Sequence, residues 1–112
     1  MRVLIVEDDR AFRQLLKYVL KDLAEVVGEC ADGSECVEAY ATLLPDIVLM
    51  DMQMNKVDGL AATRQIIEQW PDAKVLIVTA HNDESLRKAT MDAGAQGYLL
   101  KESLFDVGSW LP

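Results

Sequence analysis

Three stretches of the chain are apolar without a break, Val3–Val6, Ile47–Met50 and Val75–Val78, and β-branched residues recur in each. That is the pattern of strands covered on both faces in a parallel sheet. Two further stretches are weaker. Val26–Ala31 is interrupted by Gly28 and Glu29 and suits an edge strand, while Tyr98–Leu100 makes a short last strand after Gly94 and Gly97. Between the strands the apolar spacing changes to threes and fours. Phe12, Leu15, Leu16, Val19, Leu20 and Leu23 predict a first helix with Asp8 or Asp9 as its N-cap. Val37, Tyr40, Ala41 and Leu44 predict a second, stopped by Pro45. A third runs from about Leu60 to Trp70, presents Leu60, Thr63, Ile67 and Trp70, and ends at Pro71. Asn82 to Ala93 predicts a fourth, begun by Asn82 or Asp83, whose inward positions Leu86, Ala89, Thr90 and Ala93 are mostly small. At roughly 25 cal/mol per Å² of buried apolar area, such a face anchors a helix weakly.

Five strands alternating with helices predict an α/β fold with a parallel sheet. Placing the two weaker strands at the edges gives the flavodoxin-like order 2-1-3-4-5. A length of 112 residues fits one domain, residues 1–112, and the sequence shows no internal repeat or linker. The chain opens with no basic-then-apolar signal segment and holds no apolar run of membrane-spanning length, so a cytoplasmic protein without membrane contact is expected. Cys30 and Cys36 fall in no metal-ligand spacing and read as reduced thiols, the first in a strand and the second near a helix start. Nineteen acidic against eleven basic residues give a net charge of −8. That balance disfavours direct nucleic-acid binding and suits a domain that concentrates carboxylates around a cation.

The chemistry lies where the strands stop. In an open α/β sheet, ligands bind at the carboxyl ends of the strands, and here those ends carry Glu7 and Asp8, Asp51, Thr79 and Lys101. Each has an ordinary explanation: helix capping for the acids, β propensity for Thr79, a solvated surface position for Lys101, edge packing for Tyr98. Their arrival on one rim favours a shared site. Clustered carboxylates repel unless a cation compensates them, and a hard divalent ion such as Mg²⁺ takes one or two carboxylates while keeping several waters. A backbone carbonyl just beyond Asp51, such as that of Gln53, could supply a further oxygen. Lys101 and Thr79 supply the anion side of such a site, and Asp51 becomes a plausible nucleophile toward a phosphoryl group.

These motifs together resemble the receiver domain of two-component response regulators. The matching stretches are Val3-Leu-Ile-Val-Glu-Asp-Asp9, Pro45-Asp-Ile-Val-Leu-Met-Asp-Met-Gln-Met54, Val57-Asp-Gly59, Val78-Thr-Ala80 and Gly97-Tyr-Leu-Leu-Lys101, spanning Met1 to about Ser103. The resemblance implies a CheY-like fold, with Asp51 as phosphoacceptor and Glu7 and Asp8 on Mg²⁺. It also implies that Thr79 and Tyr98 are a switch pair, Lys101 is the phosphate-binding lysine, and a sensor histidine kinase is the partner. The Pro71-Asp-Ala-Lys-Val75 and Tyr98-Leu-Leu-Lys-Glu102 wording is most similar to members with a LuxR-type helix-turn-helix output domain, which this sequence does not contain. A regulator rather than an enzyme is implied, one that assists its own phosphotransfer and dephosphorylation and controls transcription through such an output domain.

The sequence departs from the family pattern in three places. Asn55-Lys56 replaces the usual Pro-Gly, Glu102 follows the lysine where many members have proline, and Gln53 stands two residues past the acceptor, where it can tune phosphate lifetime. After Lys101 there is room only for an atypical tail, 103–112, in place of the usual long fifth helix. Ser103 with Asp106 is expected to cap a short turn carrying Leu104, Phe105 and Val107. The shortened tail should leave apolar surface beside the first helix and last strand, to be covered by Phe105, Trp110 or a second subunit in a homodimer. Two rival readings are a phosphatase of the haloacid-dehalogenase type and a phosphate-independent receiver-like interaction module. Against the first, Gln53 stands where that family carries its acid.

Overall fold

In the computed structural model of the chain, which describes residues 1–52, 54 and 57–112, the five strands form one parallel sheet in the order β2-β1-β3-β4-β5. They are β1 (Arg2–Val6), β2 (Glu25–Cys30), β3 (Ile47–Asp51), β4 (Val75–Thr79) and β5 (Gly97–Leu100). The helices are α1 (Arg10–Leu20), α2 (Cys36–Leu43), α3 (Gly59–Gln69) and α4 (Glu84–Asp92), and the chain closes with 3₁₀ turns over Lys101–Trp110. Among the described residues, no helix is long and apolar enough to cross a membrane.

The unbroken apolar runs are explained by a core on each face of the sheet. Leu4, Val6, Val48, Met50, Val75 and Ile77 face α2 and α3, where they meet Cys36, Tyr40, Ala62 and Ile66. Val3, Ile5, Ile47, Leu49, Leu76 and Val78 face the other way and pack against Leu16 and Leu20 of α1. Alternate residues of one strand therefore serve opposite cores, and neither set can be polar. As expected, the mixed strands β2 and β5 lie at the edges.

Asp9 caps α1, accepting from the N–H groups of Ala11 and Phe12, and Asp83 caps α4 through Ser85 N–H. Two inward positions expected in α1 are not inward. Leu15 and Leu23 are about half exposed, because the buried stripe runs through Leu16 and Leu20 and the helix ends before Leu23. In α2 the expected face of Val37, Tyr40, Ala41 and Leu44 is likewise corrected. Cys36 and Tyr40 are buried with Val37, Ala39 and Leu43 against them, while Ala41 and Leu44 are exposed. The cause is Pro45, which disfavours a helical residue before it. Leu44 leaves the helix in the left-handed region, φ 44°, with its N–H on the Tyr40 carbonyl, and Leu43 turns inward instead. Its Cδ1 fills the space beside Gly28, 2.5 Å from where a Cβ would stand.

α4 matches its expected face: Thr90 and Ala93 are buried, and Leu86 and Ala89 partly so. Thr90 Oγ1 is buried with no hydrogen-bond partner among the described residues. Of the tail residues expected to cover the core, Trp110 does so and Phe105 does not. Ser103 is not a cap but the kink of the segment, at φ −105° and ψ 25°. Beyond it, Leu104, Val107 and Trp110 recur at intervals of three, which a 3₁₀ helix stacks on one face, and they close the core beside α1. The Trp110 ring lies so close over Gly97 that any Cβ there would overlap it. Phe105 takes no part and is 81% exposed. The cover thus comes from within the chain.

Candidate functional site

Parallel pairing puts the carboxyl ends of β1, β3, β4 and β5 on one rim, and each end carries a polar side chain. Glu7 follows β1, Asp51 ends β3 opposite Val78, Thr79 ends β4 opposite Leu100, and Lys101 follows β5 at once. Glu7, Asp51 and Thr79 are almost fully buried, whereas Asp8 is exposed. Together with Asp9, Met54, Ala80 and His81 they line a cleft of about 360 Å³. Gly59 allows α3 to start against this rim, since a Cβ there would overlap the Asp51 carbonyl, and its N–H donates to the Met52 carbonyl at 2.8 Å.

The cleft holds more negative charge than it neutralises. One carboxylate oxygen from each of Glu7, Asp8 and Asp51 lies within 4.8 Å of the others. Against them stands Lys101, whose Nζ is 2.9 Å from Glu7 Oε1 and 3.5 Å from Asp51 Oδ1. Burial pushes Glu7 up to about 7, with the nearby Asp51 adding to the rise and Lys101 opposing it. Asp51 is raised as well, by burial first and then by the charge of Asp8, against the pull of Glu7 and Lys101. For Lys101, burial acts downward, but the bond to Glu7 and the charges of Asp51 and Glu7 outweigh it and hold the ammonium above its ordinary value. Crowded, partly dehydrated oxygens that resist ionisation fit a hard divalent cation, which would supply the missing positive charge.

Thr79 and Tyr98 meet on one residue. The Thr79 hydroxyl accepts from the His81 N–H at 3.2 Å, and the Tyr98 hydroxyl donates to the His81 carbonyl. Tyr98 is not among the residues that line the cleft; its ring packs against the core, with the Arg87 guanidinium 5.2 Å from the ring centroid. Expectations for Gln53 and for the Asn55-Lys56 loop fall outside the described residues.

Three residues not singled out in the sequence support the site. Phe12, read there only as core, lies beneath Lys101, whose Nζ is 4.3 Å from its ring centroid. Arg13 donates from Nη1 to the Glu7 carbonyl at 2.6 Å, and His81 bridges Thr79 to Tyr98. Only Phe12 left a signal, its place on the first turn of the helix after the acidic cluster.

Comparison with known proteins shows which family the chain belongs to. The family model of the response regulator receiver domain matches residues 3–107. The chain belongs to this family. It is 41% identical over 104 residues to the transcriptional regulatory protein DegU of Brevibacillus brevis, covering 91% of this chain and 44% of DegU. The receiver domain thus spans about half the length of the curated relatives it matches. A two-component response regulator of the LuxR family from Aurantimonas sp. SI85-9A1 superposes with a TM-score of 0.86 at 32% identity, covering 89% of this chain and 73% of that one. A CheX-CheY-BeF3-Mg+2 complex from Borrelia burgdorferi gives a TM-score of 0.86 at 30% identity, over 90% of this chain and 78% of that one.

Proposed function

We propose that this receiver domain takes a phosphoryl group from a sensor histidine kinase onto Asp51 and signals the event through α4 and β5. The observation that carries the reading is the meeting of Asp51 with Glu7, Asp8, Thr79 and Lys101 in one cleft. Glu7, Asp8 and Asp51, with the backbone carbonyl of Gln53, are the residues that would hold Mg²⁺. When bound, Mg²⁺ supplies positive charge that keeps the carboxylates ionised and offsets the charge of the phosphoryl group. A carboxylate oxygen of Asp51 attacks phosphorus in the phosphoimidazole, the P–N bond breaks, and the imidazole nitrogen leaves with its electron pair. Lys101, already 3.5 Å from Asp51, places its ammonium against a phosphoryl oxygen. Thr79 accepts from His81, so its own hydroxyl hydrogen can be given to another.

The wiring behind Thr79 supports a switch. Drawing its hydroxyl toward a phosphoryl group pulls on the His81 N–H, and the His81 carbonyl holds Tyr98. α4 buries only Thr90 among its own side chains, so it is the element least able to resist the shift. DegU, a transcriptional regulatory protein, supports transcription control by an output domain as the downstream event. Such a chain is a regulator that assists its own phosphotransfer and dephosphorylation, not a turnover enzyme. The test is intact mass after incubation with Mg²⁺ and acetyl phosphate. One phosphoryl group should be gained by the parent and none by Asp51→Asn, whereas equal gain in both would move the acceptor elsewhere. No gain in either would favour a phosphate-independent module.

A further inference from the structure

We propose that Arg13, anchored by Glu29, is a positioning residue that holds the Glu7–Asp8 turn in the shape needed to bind a divalent cation. The inference rests on reading those carboxylates as cation ligands. Arg13 is not among the residues that line the cleft. Its Nη1 donates to the main-chain carbonyl of Glu7 at 2.6 Å, and its Nε lies 3.4 Å from Glu29 Oε1. Glu29 is held in turn by Lys17, whose Nζ is 3.0 Å from Oε2. The next residue of β2, Cys30, accepts the Glu7 N–H on its carbonyl at 2.9 Å. The main chain of Glu7 is therefore gripped on both sides, by β2 through its N–H and by α1 through its carbonyl, and Glu29 ties the two grips together.

The carbonyl grip bears on Asp8. The pairing of β1 with β3 ends at Val6 and Met50, so the sheet no longer fixes the peptide between Glu7 and Asp8. The Glu7 carboxylate has its own restraints in Lys101 and in the Asp9 N–H, 3.1 Å from Oε2. Asp8 is the exposed member of the trio, and its direction follows the peptide plane that Arg13 holds. A cation needs all its oxygens placed together, and outer-shell groups that orient ligands typically carry 10–100-fold of metal affinity. Arginine suits the task because its planar fork serves two acceptors at once, which a lysine ammonium on a flexible stem does poorly.

Calorimetric titration of the full chain with MgCl₂ tests this. Arg13→Met keeps the stem and loses the donors, and it should weaken Mg²⁺ binding about tenfold. Glu29→Gln and Arg13→Lys should fall between it and the parent. Ile66→Val, which destabilises the opposite core without touching the turn, should bind as the parent does while unfolding at lower urea. Parent-like affinity in Arg13→Met, or an equal loss in Ile66→Val, would overturn the clamp and leave the cation site standing. Should Arg13→Met not fold, unchanged affinity in both Glu29→Gln and Arg13→Lys overturns it. A parent chain that binds no Mg²⁺ would overturn the cation reading and the clamp with it.

Discussion

Replacing Lys101 with Met should destabilise the metal-free protein by an amount that depends strongly on pH. At an effective dielectric of about 20, unit charges at the observed 2.9 Å and 3.5 Å attract by about 6 and 5 kcal/mol. Dehydration of the lysine and carboxylates cancels much of this, and removing one partner of a buried pair typically costs about 3–5 kcal/mol. The full cost applies only while Glu7 is ionised. With Glu7 raised to about 7, its carboxyl is already protonated at pH 5, where the lysine has lost its closest partner. The loss should therefore be smaller at pH 5, where the longer contact to Asp51 is what remains, than at pH 8, where it should reach about 3 kcal/mol. The sign follows from linkage: a carboxyl raised in the folded state contributes stability that is present below its unfolded value near 4.5 and is lost as pH rises through about 7. Without the lysine that loss deepens. Urea unfolding in EDTA at both pH values reads the difference, and Mg²⁺ at pH 8 should restore part of it. An equal loss at both pH values would refute the assignment of Glu7 as the lysine's main partner.

Other consequences are independent of the site. Thr90→Val removes an unpaired buried hydroxyl at constant shape and should raise the urea midpoint by an equivalent of about 1 kcal/mol, so a loss of stability would show that Oγ1 is paired after all. Leu44→Gly relieves a left-handed backbone at an exposed side chain and should stabilise by about 0.5–1 kcal/mol in the same assay. Cys30 and Cys36 are buried, and burial pushes their thiols up to about 11 and 12. Both should resist a maleimide at pH 8 until the chain is unfolded, whereas fast labelling of the native protein would contradict that environment.

The site was legible because the sheet is parallel. Once Val3–Val6, Ile47–Met50 and Val75–Val78 are read as buried strands, topology alone sends Glu7, Asp51 and Thr79 to one rim, whatever the helices do. Helix faces were harder. Ala41 and Leu44 continue a helical stripe on paper, but Pro45 ends α2 early and hands the inward position to Leu43. The tail misled in another way. Ser103 reads as a cap and Phe105 as cover, but Ser103 is the kink of a 3₁₀ segment that stacks Leu104, Val107 and Trp110 on one face and leaves Phe105 outside. The contacts of Arg13 and His81 run through main-chain groups, the Glu7 carbonyl and the N–H and carbonyl of His81. Such contacts leave no trace in residue type or spacing.

The central claim, that Asp51 is the acceptor, is tested most directly by locating the modified residue. An acyl phosphate is reduced by borohydride to an alcohol, so a phosphorylated aspartate becomes homoserine and can be found by peptide sequencing in a mass spectrometer. After incubation with acetyl phosphate and Mg²⁺, the account predicts homoserine at position 51, dependent on Mg²⁺. Homoserine at position 8 or 9 instead, or an unmodified Asp51 in a chain that has gained phosphate, would contradict it.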